Sequence, residues 1–324
     1  MPYQPTFLSL MPTYECNLSC AHCCVPEGAA GDMSLDLALG CVNEAASAGI
    51  TSVGFTGGEP MLRVKWVAEV TRAATSLGLE VDDLSTNGVW WSSRSELESA
   101  LLMLREAGFA GGFHLSVDAF HAGAGSEMQA EFVRASLKVF GKVGNIGCAE
   151  SRGHSPLSAL SQLAKRLGAT LVEESPTQGH LHLGEHTISY GRFPAAAVGQ
   201  RSASLVSTGD EWFGDFDCFG HDSVLLDPAG GAHFCTGFAG LRAAPLCVGD
   251  ATREWFAGVL SAAAELPLVQ LLCAEGPAGL RRVIEARSLN SFPRPWASPC
   301  AFCYHCLTDE RLLSILEDAG IVAA

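Results

Sequence analysis

A parallel α/β sheet wound into part of a barrel is the fold this sequence predicts, and three observations predict it. Short apolar runs alternate with helical patterns through the first half of the chain, polar or glycine-bearing motifs stand where the runs end, and the rhythm stops near Gly209. Alternation of this kind places helices against parallel strands. Six such runs fit a partial (β/α)6 barrel, although a doubly wound sheet satisfies the same periodicity. The expected division is a barrel over residues 1–208 and a smaller C-terminal β-hairpin and helical domain over residues 209–324.

Taken in order, Phe7 to Met11 reads as the first strand, and Ser34 to Ala48 as a helix with Leu35, Leu39, Val42 and Ala46 on one face. Thr51 to Thr56 is a second strand, and Gly57-Gly58-Glu59-Pro60 separates it from a helix over Val64 to Leu77. Strands follow at Glu80 to Ser85, Gly112 to Val117 and Gly144 to Glu150, with helices at Arg94 to Glu106, Glu127 to Phe140 and Pro156 to Leu167. Ala169 to Glu173 is the expected sixth strand. Beyond it, Cys218 to Cys235 reads as a hairpin turning at Asp227-Pro228-Ala229-Gly230-Gly231, and helical segments span Thr252 to Leu289.

Composition narrows the function. The 324 residues are 48% hydrophobic and only 17% charged, which suits a globular chain with a substantial core. With 35 acidic against 20 basic side chains the formal charge is −15, which repels phosphate backbones and anionic membranes, so nucleic acid and membrane are not expected partners. The most apolar window, Ala257 to Ala274, is interrupted by Glu265 and Pro267. Thirteen cysteines would suit a secreted disulfide protein, but Met1-Pro2-Tyr3-Gln4-Pro5 has neither the basic region nor the apolar core of a signal peptide, and a cytoplasmic location is expected.

The chemistry centres on Glu15-Cys16-Asn17-Leu18-Ser19-Cys20-Ala21-His22-Cys23, where three thiols stand at C-x3-C-x2-C spacing after the first strand. A compact loop with these separations can aim Cys16, Cys20 and Cys23 at one cube of iron and sulfide, leaving a fourth iron open to a small chelating molecule. Zinc fits this spacing poorly. Cys24, adjacent to Cys23, reads as a packing residue. The loop resembles the defining motif of the radical S-adenosylmethionine (SAM) enzymes, with His22 in the place before the third cysteine that an aromatic-type residue commonly fills.

That resemblance implies a six-stranded open barrel with its site at the carboxyl ends of the strands, a [4Fe-4S] cluster, bound SAM, and an electron donor such as flavodoxin or ferredoxin. It implies that Gly57, Gly58, Glu59 and Pro60 meet the amino group and backbone of SAM, and that Asn87, Ser116 and Asp118 contact its ribose and carboxylate, with Asp118 alternatively nearer the substrate. Arg152, after the fifth strand, is expected to fork onto the SAM carboxylate. His121 reads either as a further contact or as a solvated loop histidine.

The hairpin places Cys218, eleven residues, Gly230, four residues and Cys235 in sequence, and Cys300-Ala301-Phe302-Cys303-Tyr304-His305-Cys306 follows later. This resembles the twitch extension, a shortened SPASM domain. The resemblance implies that Cys218, Cys235, Cys300 and Cys303 hold an auxiliary [4Fe-4S] cluster, with Cys306 either replacing one of them or standing free. The residues alone also admit zinc, with His305 at hand. Enzymes with this extension modify ribosomally made peptides by epimerisation or crosslinking, or oxidise sugar-derived and carbocyclic antibiotic intermediates. The expected reaction is therefore abstraction of hydrogen from a substrate carbon after reductive cleavage of SAM, with a peptide or small natural-product intermediate as partner. The fifteen residues before Cys16 are too few to fold a peptide-recognition domain, which weakens a leader-dependent reading. Epimerisation needs a hydrogen donor, which the unassigned thiols Cys148, Cys247, Cys273 and Cys306 could supply; most of these read as packing residues, and Cys306 and Cys247 are the candidates. An inert iron–sulfur or zinc module with the same fold is the reading from another class.

Overall fold

The computed structural model describes residues 3–20, 22–118, 120–121, 125–150, 156–175, 178–194, 218–237, 239–288 and 299–323. Their strands form one sheet. Its strands are β1 Phe7–Leu10, β2 Ser52–Phe55, β3 Glu80–Thr86, β4 Phe113–Ser116, β5 Gly144–Glu150, β6 Thr170–Ser175, β7 Gln178–Leu183, β8 His186–Pro194, β9 Ser223–Leu226, β10 Gly231–His233 and β11 Cys247–Asp250. They lie in the order β11-β10-β9-β1-β2-β3-β4-β5-β8-β7-β6. From β9 to β8 every pairing is parallel.

Two departures from the sequence expectation concern this sheet. The run at Ala169 to Glu173 supplies β6, but β6 does not join β5. It pairs antiparallel with β7, and β8 takes the sixth parallel place beside β5. The physical reason is burial: a strand beside β5 must bury one face against the helices, and β6 is exposed almost throughout whereas Ile188 and Tyr190 of β8 are buried. The second departure is that the first arm of the C-terminal hairpin, β9, pairs in parallel with β1, from Phe7 opposite Ser223 to Leu10 opposite Leu226. The sheet is therefore continuous across the division expected at residue 208, a point outside the described residues.

Helices α1 Leu35–Ser47, α2 Val64–Ser76, α3 Arg94–Glu106, α4 Ser126–Phe140 and α5 Pro156–Leu167 pack each against the next. Period-two alternation divides the strands beneath them. Leu8, Leu10, Val53, Phe55, Leu84, Phe113, Leu115, Ile146 and Ile188 are buried in the core. The opposite face carries a lateral row, Ser85, His114, Asn145, Ser189 and His180, each paired with the next. His114, Asn145 and Ser189 are exposed. One face thus holds the fold, and the other offers polar groups.

Helix starts follow their local chemistry. Ser34 accepts from Leu37 N at 3.2 Å, and Ser93 from Glu96 N at 3.2 Å while Glu96 reaches back to Ser92 N at 2.8 Å. Caps of this kind are each worth about 1 kcal/mol. The last four helices are α6 Phe256–Ala264, α7 Pro267–Glu285, α8 Pro299–Thr308 and α9 Glu310–Asp318. Glu265 and Pro267 break the apolar window as expected, and α6 and α7 meet at 64°. Among the described residues no single helix is long and apolar enough to cross a membrane.

Candidate metal centre and its surroundings

Every expected site residue of the first half that is described lies at the carboxyl end of a strand or in the loop after it. β1 hands the chain to Met11, whose N–H donates to Leu226 O at 3.0 Å, and the cysteine loop follows. The loop is stitched to the Gly57–Pro60 turn: Gly58 N donates to Thr13 O at 3.0 Å and Glu59 N to Glu15 O at 2.8 Å. A Cβ on Gly58 would stand 2.0 Å from Glu15 O, so any other residue there would push the loop away. The two glycines therefore serve packing against Thr13 to Glu15, a role the sequence reading had not assigned to them. Pro60 opens a short 3-10 turn, Pro60–Arg63, with Glu59 as its cap.

Cys16, Cys20 and Cys23 line one cavity of about 190 Å³, together with Tyr14, Gly58 and Arg242. Three thiols lining one space, which Glu27 also borders, are a donor set suited to iron and sulfide. Burial pushes the Cys16 thiol up to about 11, so metal binding there must displace a proton. Leu18 N donates to Cys16 Sγ at 3.4 Å, and Cys23 N to Cys20 O at 3.2 Å.

Glu59 is 1% exposed. Its Oε1 accepts from Thr86 Oγ1 at 2.8 Å and Met61 N at 3.1 Å, and its Oε2 from Asn87 N at 2.8 Å. Burial pushes its carboxyl up to about 7 against the pull of those three donors. A carboxylate has about four acceptor directions, so roughly one remains for a further donor. Asn87 is likewise engaged: Nδ2 donates to Asn17 Oδ1 at 2.8 Å, Oδ1 accepts from Val89 N at 2.8 Å, and Asn17 Nδ2 donates to Val89 O at 2.9 Å. Gln129 of α4 joins β3 to β4 by donating to Asn87 O at 3.2 Å and Ser116 O at 2.8 Å. Asn17, Thr86 and Gln129 were missed in the sequence. Asn17, inside the cysteine loop, and Thr86, next to Asn87 at the end of the third strand, carried a positional signal.

Asp118 is buried, and its Oδ1 accepts from Phe120 N at 2.9 Å, His121 N at 3.1 Å and His121 Nδ1 at 2.8 Å. Burial pushes this carboxyl up, but the hydrogen bonds and charge of His121 outweigh it and hold it below the usual range. The solvated alternative for His121 fails, because its side chain is only 13% exposed. Burial lowers His121, yet its bonds to Asp118 and Cys20 carry it to about 10. His22 stacks on Phe120 at 4.4 Å and meets His121 edge-on at 5.1 Å, and burial takes it down to about 4. One ligand atom each from His22, Asp118 and His121 lies within 4.8 Å of the others. Ser116 is half-buried at the end of β4. Arg152 lies outside the described residues.

The second thiol set gathers from three segments. Cys218 precedes β9, Cys235 follows β10, and Cys300 and Cys303 stand one turn apart on α8. Burial drives Cys303 well above the usual thiol range, followed by the charges of Cys235, Cys218, Cys300 and Cys306. Cys300 rises to about 11 from burial and then from Cys218. A Cβ on Gly237 would lie 3.1 Å from Cys235 Sγ and 3.8 Å from Cys300 Sγ. Cys273, on α7, is close enough to Cys218 to feel its charge.

The two donor candidates part company here. Cys306 is 0% exposed within the core, so no substrate carbon can approach it without displacing α8. Cys247 is exposed on β11 and lies near Tyr14, one of the residues lining the Cys16–Cys23 cavity. Cys148 is fully buried, and Cys24, half-buried, offers its carbonyl to Arg242.

Residues 10–142 match the family model described as the Radical SAM superfamily. A GTP 3',8-cyclase of Desulforamulus reducens is 32% identical over 100 residues, covering 29% of this chain and 31% of that protein. The match therefore spans about a third of the relative's length. Among solved structures, Streptococcus suis SuiB bound to precursor peptide SuiA superposes with a TM-score of 0.56 at 14% identity, covering 80% of this chain and 65% of that one. BtrN in complex with AdoMet and 2-DOIA gives 0.52 at 12% identity, covering 86% and 91%. At such identities these structures speak for a shared fold.

Proposed function

The chain carries a radical SAM domain over residues 10–142, and from that premise we propose that it removes hydrogen from a carbon of a ribosomally made peptide. The observation that carries this reading is the convergence of Cys16, Cys20 and Cys23 on one cavity beside Gly58, at the carboxyl ends of parallel strands. When bound there, a reduced [4Fe-4S] cluster supplies the electron that cleaves SAM to methionine and a 5'-deoxyadenosyl radical. The chain's own residues do the rest. Glu59, with roughly one acceptor direction left, accepts a hydrogen bond from the SAM amino group. Arg152 is the proposed partner of its carboxylate.

The polar row from Ser85 through His114, Asn145 and Ser189 to His180 supplies hydrogen-bonding groups to an extended polar substrate. Exposed Cys247 favours epimerisation, because it can return a hydrogen atom to the substrate carbon. The thiyl left on Cys247 then needs one electron and one proton, for which the auxiliary thiol set and an external flavodoxin or ferredoxin are the proposed route. A second reading, oxidation of a small amine-bearing ring intermediate, is favoured by Asp83 and Glu174, which place carboxylates beside His114 and His180 at 4.0 and 3.0 Å.

Turnover in heavy water separates the two. Epimerisation places one deuterium in the peptide product, and Cys247→Ala abolishes that product while 5'-deoxyadenosine still forms. An unlabelled product two mass units lighter supports the oxidation instead, and absence of 5'-deoxyadenosine with both iron sites loaded refutes both.

A further inference from the structure

The second half of the cysteine loop is gripped from the other end of the chain. Three consecutive carbonyls converge on one guanidinium: Arg242 Nη2 donates to Cys23 O at 3.1 Å and Val25 O at 3.0 Å, and Nε to Cys24 O at 2.9 Å. Arg242 also lines the cavity shared by Cys16, Cys20 and Cys23. A planar fork with five donors can hold several acceptors in fixed directions, which a lysine ammonium on a flexible stem cannot reproduce.

Arg242 stands in the connection from β10 to β11, seven residues beyond Cys235. That connection is wound tightly against the Cys235 residue. Gly237 N donates to Cys235 Sγ at 3.2 Å, and Gly240 N to Gly237 O at 3.0 Å. A Cβ on Gly240 would stand 1.9 Å from Cys235 O, so the two backbones touch. His233 Nδ1 donates to Gly240 O at 3.0 Å, and Arg242 N to Ala239 O at 3.1 Å, which fixes the base of the arginine. A shift of the Cys235 thiol therefore moves Gly240, and with it the arm that holds Cys23 to Val25.

We propose that Arg242 is a positioning residue through which the auxiliary thiol set governs the geometry of the Cys16–Cys23 loop, so that filling the auxiliary site organises the SAM site. This builds on the reading of both thiol sets as iron–sulfur sites, and the test keeps the two apart. The full chain is reconstituted anaerobically with iron and sulfide as the parent, Arg242→Ala, Arg242→Lys and Cys303→Ala, with thermal melting followed for each. Electron paramagnetic resonance of reduced samples, with and without SAM, reads the Cys16–Cys23 site through its response to SAM.

Arg242→Ala is expected to keep the auxiliary iron, about four atoms, and to lose the SAM response. Arg242→Lys restores that response only in part, and Cys303→Ala diminishes it although Cys303 makes no contact with the loop carbonyls. Adding Cys303→Ala to Arg242→Ala causes no further loss of the response, because the path is already cut. A parental SAM response in Arg242→Ala overturns the proposal. So does an undiminished response in Cys303→Ala, which decides the matter even where Arg242→Ala fails to fold. A parent that takes up no iron refutes the underlying cluster reading instead.

Discussion

The two thiol sets are built in opposite ways. Cys16, Cys20 and Cys23 occupy eight consecutive residues, and their loop is held from outside by polar groups of the Gly57–Pro60 turn, β3 and the β10–β11 connection. Cys218, Cys235, Cys300 and Cys303 come from three distant segments and sit against the apolar core beside Phe234 and Phe302. As proposed ligands, four thiols in apolar surroundings would make a closed site. As proposed ligands, three thiols on a hydrogen-bonded loop would leave one side for a further molecule, with polar groups around it.

The largest effect that can break this contrast comes from emptying one site at a time. Changing Cys16, Cys20 and Cys23 together to alanine should lower the iron content from about eight to about four atoms and abolish 5'-deoxyadenosine formation, because the remaining site has no open iron. If the tail holds zinc, elemental analysis of the parent should return about four irons and one zinc, and the contrast between two iron sites collapses.

A smaller effect tests the polar frame. Glu59→Gln turns one acceptor oxygen into a donor among Thr86, Met61 and Asn87, whose hydroxyl and amide groups already donate there. Leaving such buried donors opposed costs about 1–3 kcal/mol, so a drop in the melting midpoint is expected together with a loss of SAM cleavage and retention of both iron sites. Unchanged melting with lost cleavage would show that Glu59 acts on the ligand alone and contributes nothing to the frame.

The same contrast explains what the sequence disclosed. Contiguous spacing exposed the loop at Cys16 to Cys23 and the turn at Gly57 to Pro60, because the chemistry there needs neighbours in the chain. The grouping of the second thiol set was suggested by a hairpin of fixed length and a C-x2-C pair. The frame was not, since the hydrogen bonds of Asn17 with Asn87, of Gln129 with Ser116 O and of Arg242 with Cys23 O join residues whose separation no pattern marks. The bond from His121 to Asp118 likewise went unread, although the two residues stand three apart. The sixth strand was misplaced for a related reason: β6 and β8 both read as extended runs, and only burial by the neighbouring layers decides which joins β5.

The smallest effect sharpens the boundary between the two regions, at the β9–β10 turn. Asp227 Oδ2 meets His233 Nε2 at 2.8 Å, its Oδ1 accepts from Ala229 N and Gly231 N at 2.9 Å each, and the Tyr14 hydroxyl also bonds to it. Burial pushes this carboxyl up, but the bonds from His233 and the two amides outweigh it and leave it below its ordinary 3.8. A carboxyl with a depressed folded pKa contributes stability that is complete above the unfolded value and is lost as the pH falls through the folded one. Asp227→Asn keeps the Oδ1 acceptor and offers His233 an amide, so its cost near neutral pH should be modest, about 1–2 kcal/mol. The difference in melting midpoint between parent and variant should stay constant from pH 7 to about pH 5 and narrow below about pH 4. A difference that stays flat down to about pH 3 would mean that Asp227 joins Tyr14 to His233 as a neutral group, and that its charge takes no part in fastening the C-terminal hairpin beside the cysteine loop.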